Sequence, residues 1–133
     1  MQNRQRLYEA LYVSTIAPGV SVASVGNIAR RARSFNQANG ITGVLIFDGM
    51  RYCQQFEGPQ AEVLALLVRI AKDVRHVNMG ILHHDSLRSR RFKSFVMGYT
   101  TTDDVDALER FEKLEGDDAI NAFVELASQV DFA

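Results

Sequence analysis

The order of the elements along the chain predicts an α+β fold, a ferredoxin-like βαββαβ sandwich with one extra strand at its end. The first observation is a hairpin in mid-chain, where the runs VLIF and RYCQQF flank the dipeptide Asp48-Gly49. The second is a helical apolar pattern on each side of that hairpin. The third is an extended segment before the first helix and another after the second.

Residues 7–14 predict the first strand, with Leu11 and Val13 on one face and Tyr12 on the other. A helix follows and ends near Gly40, a residue typical of helix C-termini. Its apolar residues recur at helical spacing at Val25, Ile28, Ala29, Ala32 and Phe35.

The hairpin carries a glutamine where an ordinary core carries an aliphatic residue. Its Asp48-Gly49 dipeptide tolerates positive φ and predicts a type I′ turn. Alternation places Tyr52, Gln54 and Phe56 on one face of the second hairpin strand. A buried amide costs roughly 1–3 kcal/mol unless it is hydrogen-bonded, so another element or a ligand must supply a partner.

A second helix begins near Pro59, and two short strands follow at residues 79–83 and 94–99. One sheet face is then covered by two helices and the other is left bare. The tail predicts two more helices, one with an Asp103-Asp104 cap and one after Gly116. We expect these C-terminal helices to pack on the back of the sheet. The predicted organisation is a domain over residues 1–100 and a helical cap of that domain over 101–133.

Composition excludes several classes of protein. The 133 residues carry a net charge of −1, which argues against nucleic-acid binding by bulk charge. The single cysteine, Cys53, argues against a disulfide framework and a metal site. No long apolar run or signal sequence indicates a membrane, so we expect a cytoplasmic protein. Arg30, Arg31 and Arg33 form one local basic cluster.

Three polar side chains, those of Tyr12, Asn36 and Gln54, are predicted to converge on the helix-covered face. Over roughly residues 6–100 the chain resembles the BLUF domain, a flavin-binding sensor of blue light. Five segments in the expected order carry the resemblance: Leu11-Tyr12-Val13-Ser14, Asn36 with Ile41-Thr42-Gly43, Gln54 with Phe56-Glu57-Gly58-Pro59, Asp73-Val74-Arg75-His76, and Arg90-Arg91-Phe92 with Met97.

The resemblance implies FAD, held without a covalent link between the two helices. It implies that Tyr12 donates an electron and a proton to the excited flavin, and that Gln54 links Tyr12 to the ring and rearranges in light. Asn36 would hold the polar C4=O/N3 edge of the ring. The other implied flavin contacts are Arg33, Arg75, His76 and Met97.

Phe95 departs from the family pattern, and Gln55 needs a hydrogen-bond partner. Phe95 stands where many members carry a tryptophan, so no indole can exchange places with Met97. Gln55 points away from Gln54, and we expect it to hydrogen-bond to the C-terminal helices. Taken alone, Tyr12 would be read as an ordinary core tyrosine, whereas Gln54 on an aromatic strand face has no such ordinary explanation.

These features predict a short photoreceptor that is not an enzyme, forms a homo-oligomer and acts through a protein partner of unknown identity. The alternative is a ferredoxin-like oligomerising interaction module without flavin. An enzyme that uses Cys53 or His83-His84 ranks last, because no nucleophile, base and orienting group occur together.

Overall fold

The computed structural model describes residues 6–92, 98–102 and 105–129, and within them five strands form one sheet. The order across the sheet is β4-β1-β3-β2-β5, with β5 parallel to β2 and the other neighbours antiparallel. The first four strands have the predicted ferredoxin-like arrangement, and β5 is the extra strand. The strands are β1 (Leu7–Ile16), β2 (Thr42–Phe47), β3 (Arg51–Pro59), β4 (His76–Ser86) and β5 (Gly98–Thr101).

Helices α1 (Val25–Ala38) and α2 (Gln60–Ala71) cover one side of the sheet, which we call the front face. Tyr12, Phe56 and Leu66 belong to its core, where β1 and β3 meet α2.

Among the described residues, every helix is too short or too polar to span a membrane.

The C-terminal helices α3 (Val105–Glu109) and α4 (Gly116–Ser128) cover the other side, the back face. Apolar side chains of β1, β2 and β3 pack there against the two helices, because alternation directs every second residue of a strand backward. The predicted packing of the C-terminal helices on the back of the sheet is therefore confirmed. The fully buried residues of this back-face core include Leu11, Val44, Ile46, Cys53, Leu108, Phe111 and Phe123, whereas the expected Asp103-Asp104 cap lies outside the described residues.

Two local predictions are wrong. A type I′ turn needs positive φ at both central residues, but in the hairpin only Gly49 has one, at +94°. The Asp48 carboxylate instead accepts hydrogen bonds from the backbone of Met50 and Arg51 at 2.9 and 2.6 Å. β4 is also much longer than the predicted strand. The prediction was too short because a register shift beside Asn78, at φ 56°, breaks the alternation by which a strand is recognised in a sequence.

We expect Cys53 to be chemically inert in the folded protein. Its side chain is fully buried on the back face, and burial raises the pKa of its thiol. A thiol reagent should therefore modify Cys53 only after denaturant is added. Stoichiometric modification under native conditions, measured by mass spectrometry, would contradict this placement.

Candidate functional site

A cavity of about 410 Å³ lies on the front face between α1 and α2. Five of the residues predicted for the site line it, namely Tyr12, Asn36, Gln54, Arg75 and His76. Arg33 is not among the lining residues, and Met97 lies outside the described residues. The volume is within the range of about 300–1,000 Å³ that is usual for small-molecule sites.

Tyr12 and Gln54 form a hydrogen-bonded pair at the wall of the cavity. They are direct partners in the β1–β3 register, and alternation puts both side chains on the front face. The Tyr12 hydroxyl donates to Gln54 Oε1 at 2.6 Å, and each residue is 5% exposed. Burial raises the pKa of Tyr12 above its ordinary value of 10.0, which keeps the phenol protonated and able to donate.

Asn36 both closes α1 and contributes to the cavity. Its backbone carbonyl accepts hydrogen bonds from Asn39 and Ile41 at 3.1 and 2.9 Å, which ends the helix. Its side chain is buried and lines the cavity. The Asn36 main chain therefore ends the helix while its side chain lines the cavity.

His76 is held on two sides at the start of β4. Its Nε2 bonds to the Ile70 carbonyl, which only accepts, so Nε2 carries the proton. Its Nδ1 forms a hydrogen bond with the Ser14 hydroxyl, 2.7 Å away. The ring packs edge-on against Tyr12, with 6.0 Å between ring centroids. His76 thus fixes one side of the tyrosine that pairs with Gln54.

Basic side chains gather around the cavity. The Arg69 guanidinium lies over the Phe35 ring, 4.2 Å from its centroid, and Arg75 pairs with Asp73. That hydrogen bond lowers the pKa of Asp73. Arg31, which was not among the predicted site residues, lines the cavity, and its spacing of three from Ile28 and four from Phe35 could have indicated that position. The basic lining residues are Arg31, Arg69, Lys72 and Arg75.

The prediction for Gln55 is wrong, because its amide nitrogen bonds to two buried carboxylates rather than to the C-terminal helices. Its Nε2 donates to Glu57 Oε1 at 2.8 Å and to Glu9 Oε1 at 3.1 Å. Arg91 binds Glu9 through Nε at 2.8 Å, and the backbone N–H groups of Arg91 and Phe92 donate to Glu57 at 3.0 and 2.9 Å. We call these five residues the back-face network.

The cavity fits a planar heterocycle with a polar edge and an anionic tail. Aromatic and aliphatic side chains suit the ring faces, and the amides of Asn36 and Gln54 suit a carbonyl and N–H edge. The basic residues suit phosphate. A glutamine between a phenol and a heterocycle can be satisfied with its amide in either direction, so the pair can switch between two states.

We expect alkaline pH to destabilise the fold partly through Tyr12. Because its pKa is raised in the folded state, its contribution to stability is complete below the ordinary value of 10.0 and is lost as the pH rises toward the folded pKa. Tyr12→Phe should therefore reduce the fall in unfolding free energy between about pH 9 and pH 11. Tyr8→Phe, at a less buried tyrosine, is the control, and an unchanged pH slope in Tyr12→Phe would contradict the assignment.

Comparison with known proteins gives the same family by sequence and by structure. The model of the family described as "BLUF: Sensors of blue-light using FAD" matches residues 7–98. The blue light- and temperature-regulated antirepressor BluF of Escherichia coli (strain K12) is 32% identical over 82 residues, which are 62% of this chain and 20% of that protein. The chain spans at most a fifth of the curated relatives it matches.

Two solved structures extend the likeness. The dark-state structure of BlrB, a BLUF protein, has a TM-score of 0.80 at 26% identity, with 96% of this chain and 99% of that chain covered. Klebsiella pneumoniae BlrP1, solved with FMN and cyclic diGMP, has a TM-score of 0.68 at 28% identity, with 86% and 28% covered. The chain therefore belongs to the BLUF family of flavin-binding blue-light sensors.

Proposed function

We propose that this chain holds FAD non-covalently in the front-face cavity and signals through the hydrogen-bond pair of Tyr12 and Gln54. The observation that carries the proposal is the 2.6 Å bond from the Tyr12 hydroxyl to Gln54 Oε1 at the cavity wall. Residues 1–100 would form the flavin-binding domain and residues 101–133 its helical cap.

The chain's own residues divide the work. Bound flavin supplies absorption of blue light and an excited state that takes electrons. Tyr12 is placed to release an electron and its hydroxyl proton, since its hydroxyl donates to a neutral amide oxygen. The Gln54 carboxamide then reverses, which exchanges its hydrogen-bond donor and acceptor. His76 packs against the Tyr12 ring and keeps the phenol in position. Asn36 holds the polar edge of the ring.

The test is the absorption spectrum of the purified protein before and after blue light. We expect a yellow protein with a small red shift that reverses in the dark, because a changed hydrogen bond perturbs the ring without breaking its conjugation. Denaturation should release intact FAD, identified by chromatography against FMN. A protein that takes up no flavin, or a flavin that stays attached to the polypeptide, would contradict the proposal.

We infer that the output passes to the C-terminal helices and from there to a protein partner. Gln55 is adjacent to Gln54 on β3, and its amide cannot reverse, because its oxygen would then face two carboxylates. A displacement of β3 is thus passed rigidly to Glu57 and to the backbone of Arg91 and Phe92. The Phe92 ring packs edge-on against Phe123 of α4, 6.2 Å between centroids.

Hydrogen exchange measured in the dark and under light tests this route. We expect the amides of Arg91 and Phe92 and the helix Gly116–Ser128 to change their exchange rates together. Gln55→Met should keep the red shift but remove the change in α4. Cys53→Ala is the matched control, since it is equally buried on the same face of β3 outside the network. An unaltered α4 response in Gln55→Met would contradict the route.

We also propose that the protein assembles as a homo-oligomer in the cytoplasm. The edge strand β4 exposes Val77 and Ile81, 39% and 52% exposed, which would favour contact with a second copy. Ile81→Lys should lower the molar mass measured by light scattering at high protein concentration. A monomer in the unmutated protein, in darkness and under light, would contradict this part of the proposal.

A further inference from the structure

A second tyrosine reaches the same cavity and has no hydrogen-bond partner for its hydroxyl among the described residues. This is Tyr52, two residues before Gln54 on the front face of β3. It is 5% exposed, and burial raises its pKa, so the phenol stays protonated as a donor. A buried hydroxyl without a hydrogen-bond partner destabilises the folded protein. A ligand bound in the cavity could accept that hydrogen bond.

Tyr52 marks a different part of the cavity from Asn36. Its ring packs against Phe47, at 5.0 Å between centroids, and belongs to the cluster around Val25 and Ala29 at the beginning of α1. Asn36 lies seven residues beyond Ala29 on the same helix, about 10 Å along its axis. A ligand that fills the cavity therefore contacts Asn36 near one end of α1 and Tyr52 near the other.

We propose that the Tyr52 hydroxyl donates a hydrogen bond to the bound flavin, as a binding contact separate from the Tyr12–Gln54 pair. This inference rests on the proposed flavin site. Arg75 and Asp73, the charged groups that act on Tyr52, bond to each other, and neither forms a hydrogen bond with the phenol among the described residues. Tyr52 thus contributes affinity, whereas Tyr12 contributes the response to light.

Tyr52→Phe removes the hydroxyl alone and should act in opposite directions on the two states of the protein. Without flavin, the variant should melt about 2–5 °C higher, because an unpaired buried hydroxyl is gone. With flavin, the dissociation constant for FAD should rise about tenfold, the equivalent of one lost hydrogen bond. The light-induced red shift should remain. A purely structural tyrosine would change stability in the same direction with and without flavin.

Tyr99→Phe is the matched control, since Tyr99 belongs to the same cluster but does not line the cavity. It should leave the dissociation constant unchanged. An equal or lower dissociation constant in Tyr52→Phe would overturn the contact while leaving the proposed function intact. Failure of the unmutated protein to bind FAD at all would overturn both.

Discussion

Replacing Gln54 by alanine should abolish the light-induced red shift while leaving flavin bound. The Tyr12 hydroxyl donates to Gln54 Oε1 at 2.6 Å, and this bond joins the phenol to an amide that lines the cavity. Without the amide, light has no group to reorient beside the ring. Flavin occupancy should fall only modestly, because one hydrogen bond contributes about 1 kcal/mol and the cavity walls come from two helices and the sheet.

The neighbouring glutamine is the control for this variant. Gln55→Met alters the same strand at the next position, but that side chain is on the back face. It should keep both flavin and the red shift. The measurement is the light-minus-dark absorption spectrum at matched flavin occupancy. A normal red shift in Gln54→Ala would show that the pair is not the switch.

The largest loss of stability should follow Gly43→Ala, near the open end of the hairpin, where Gly43 pairs with Phe56. A Cβ added at Gly43 would lie 2.2 Å from the carbonyl oxygen of Gln55 and 2.8 Å from Cα of Phe56. Both are backbone atoms of the paired strand, so no side chain can move aside. The pairing of β2 with β3 must open, and we expect a loss of about 3 kcal/mol or more in the free energy of unfolding.

Gly26→Ala is the matched control for that substitution. Gly26 lies in α1, and nothing is within 4 Å of the position its Cβ would take. Alanine there should stabilise the protein by up to about 1 kcal/mol, because it favours the helix. Chemical denaturation measures both variants. A Gly43→Ala protein as stable as the unmutated chain would contradict the close approach of the two strands.

The faces of the sheet could be predicted from the sequence because alternation has a period of two. It placed Tyr12 and Gln54 together, and it placed Cys53 on the opposite side. The length of β4 could not be predicted in this way. Its register shift beside Asn78 breaks the alternation, and such a shift depends on the pairing partner rather than on local composition.

The partners of polar side chains were the least predictable part. Gln55 bonds to Glu9, which is 46 residues away, and Glu9 in turn pairs with Arg91, 82 residues away. No periodicity connects such distant positions, so only the folded sheet brings them together. The Tyr52 hydroxyl was missed for a related reason: its lack of a partner is a property of the folded cavity.

The central claim is that light changes the state of the Gln54 amide, and infrared difference spectroscopy with ¹³C in the glutamine side-chain carbonyl tests it most directly. We predict light-minus-dark bands that shift on labelling in the flavin-loaded protein and that persist in Gln55→Met, which excludes the neighbouring glutamine as their source. A reversible difference spectrum in which no band responds to the label would contradict the claim.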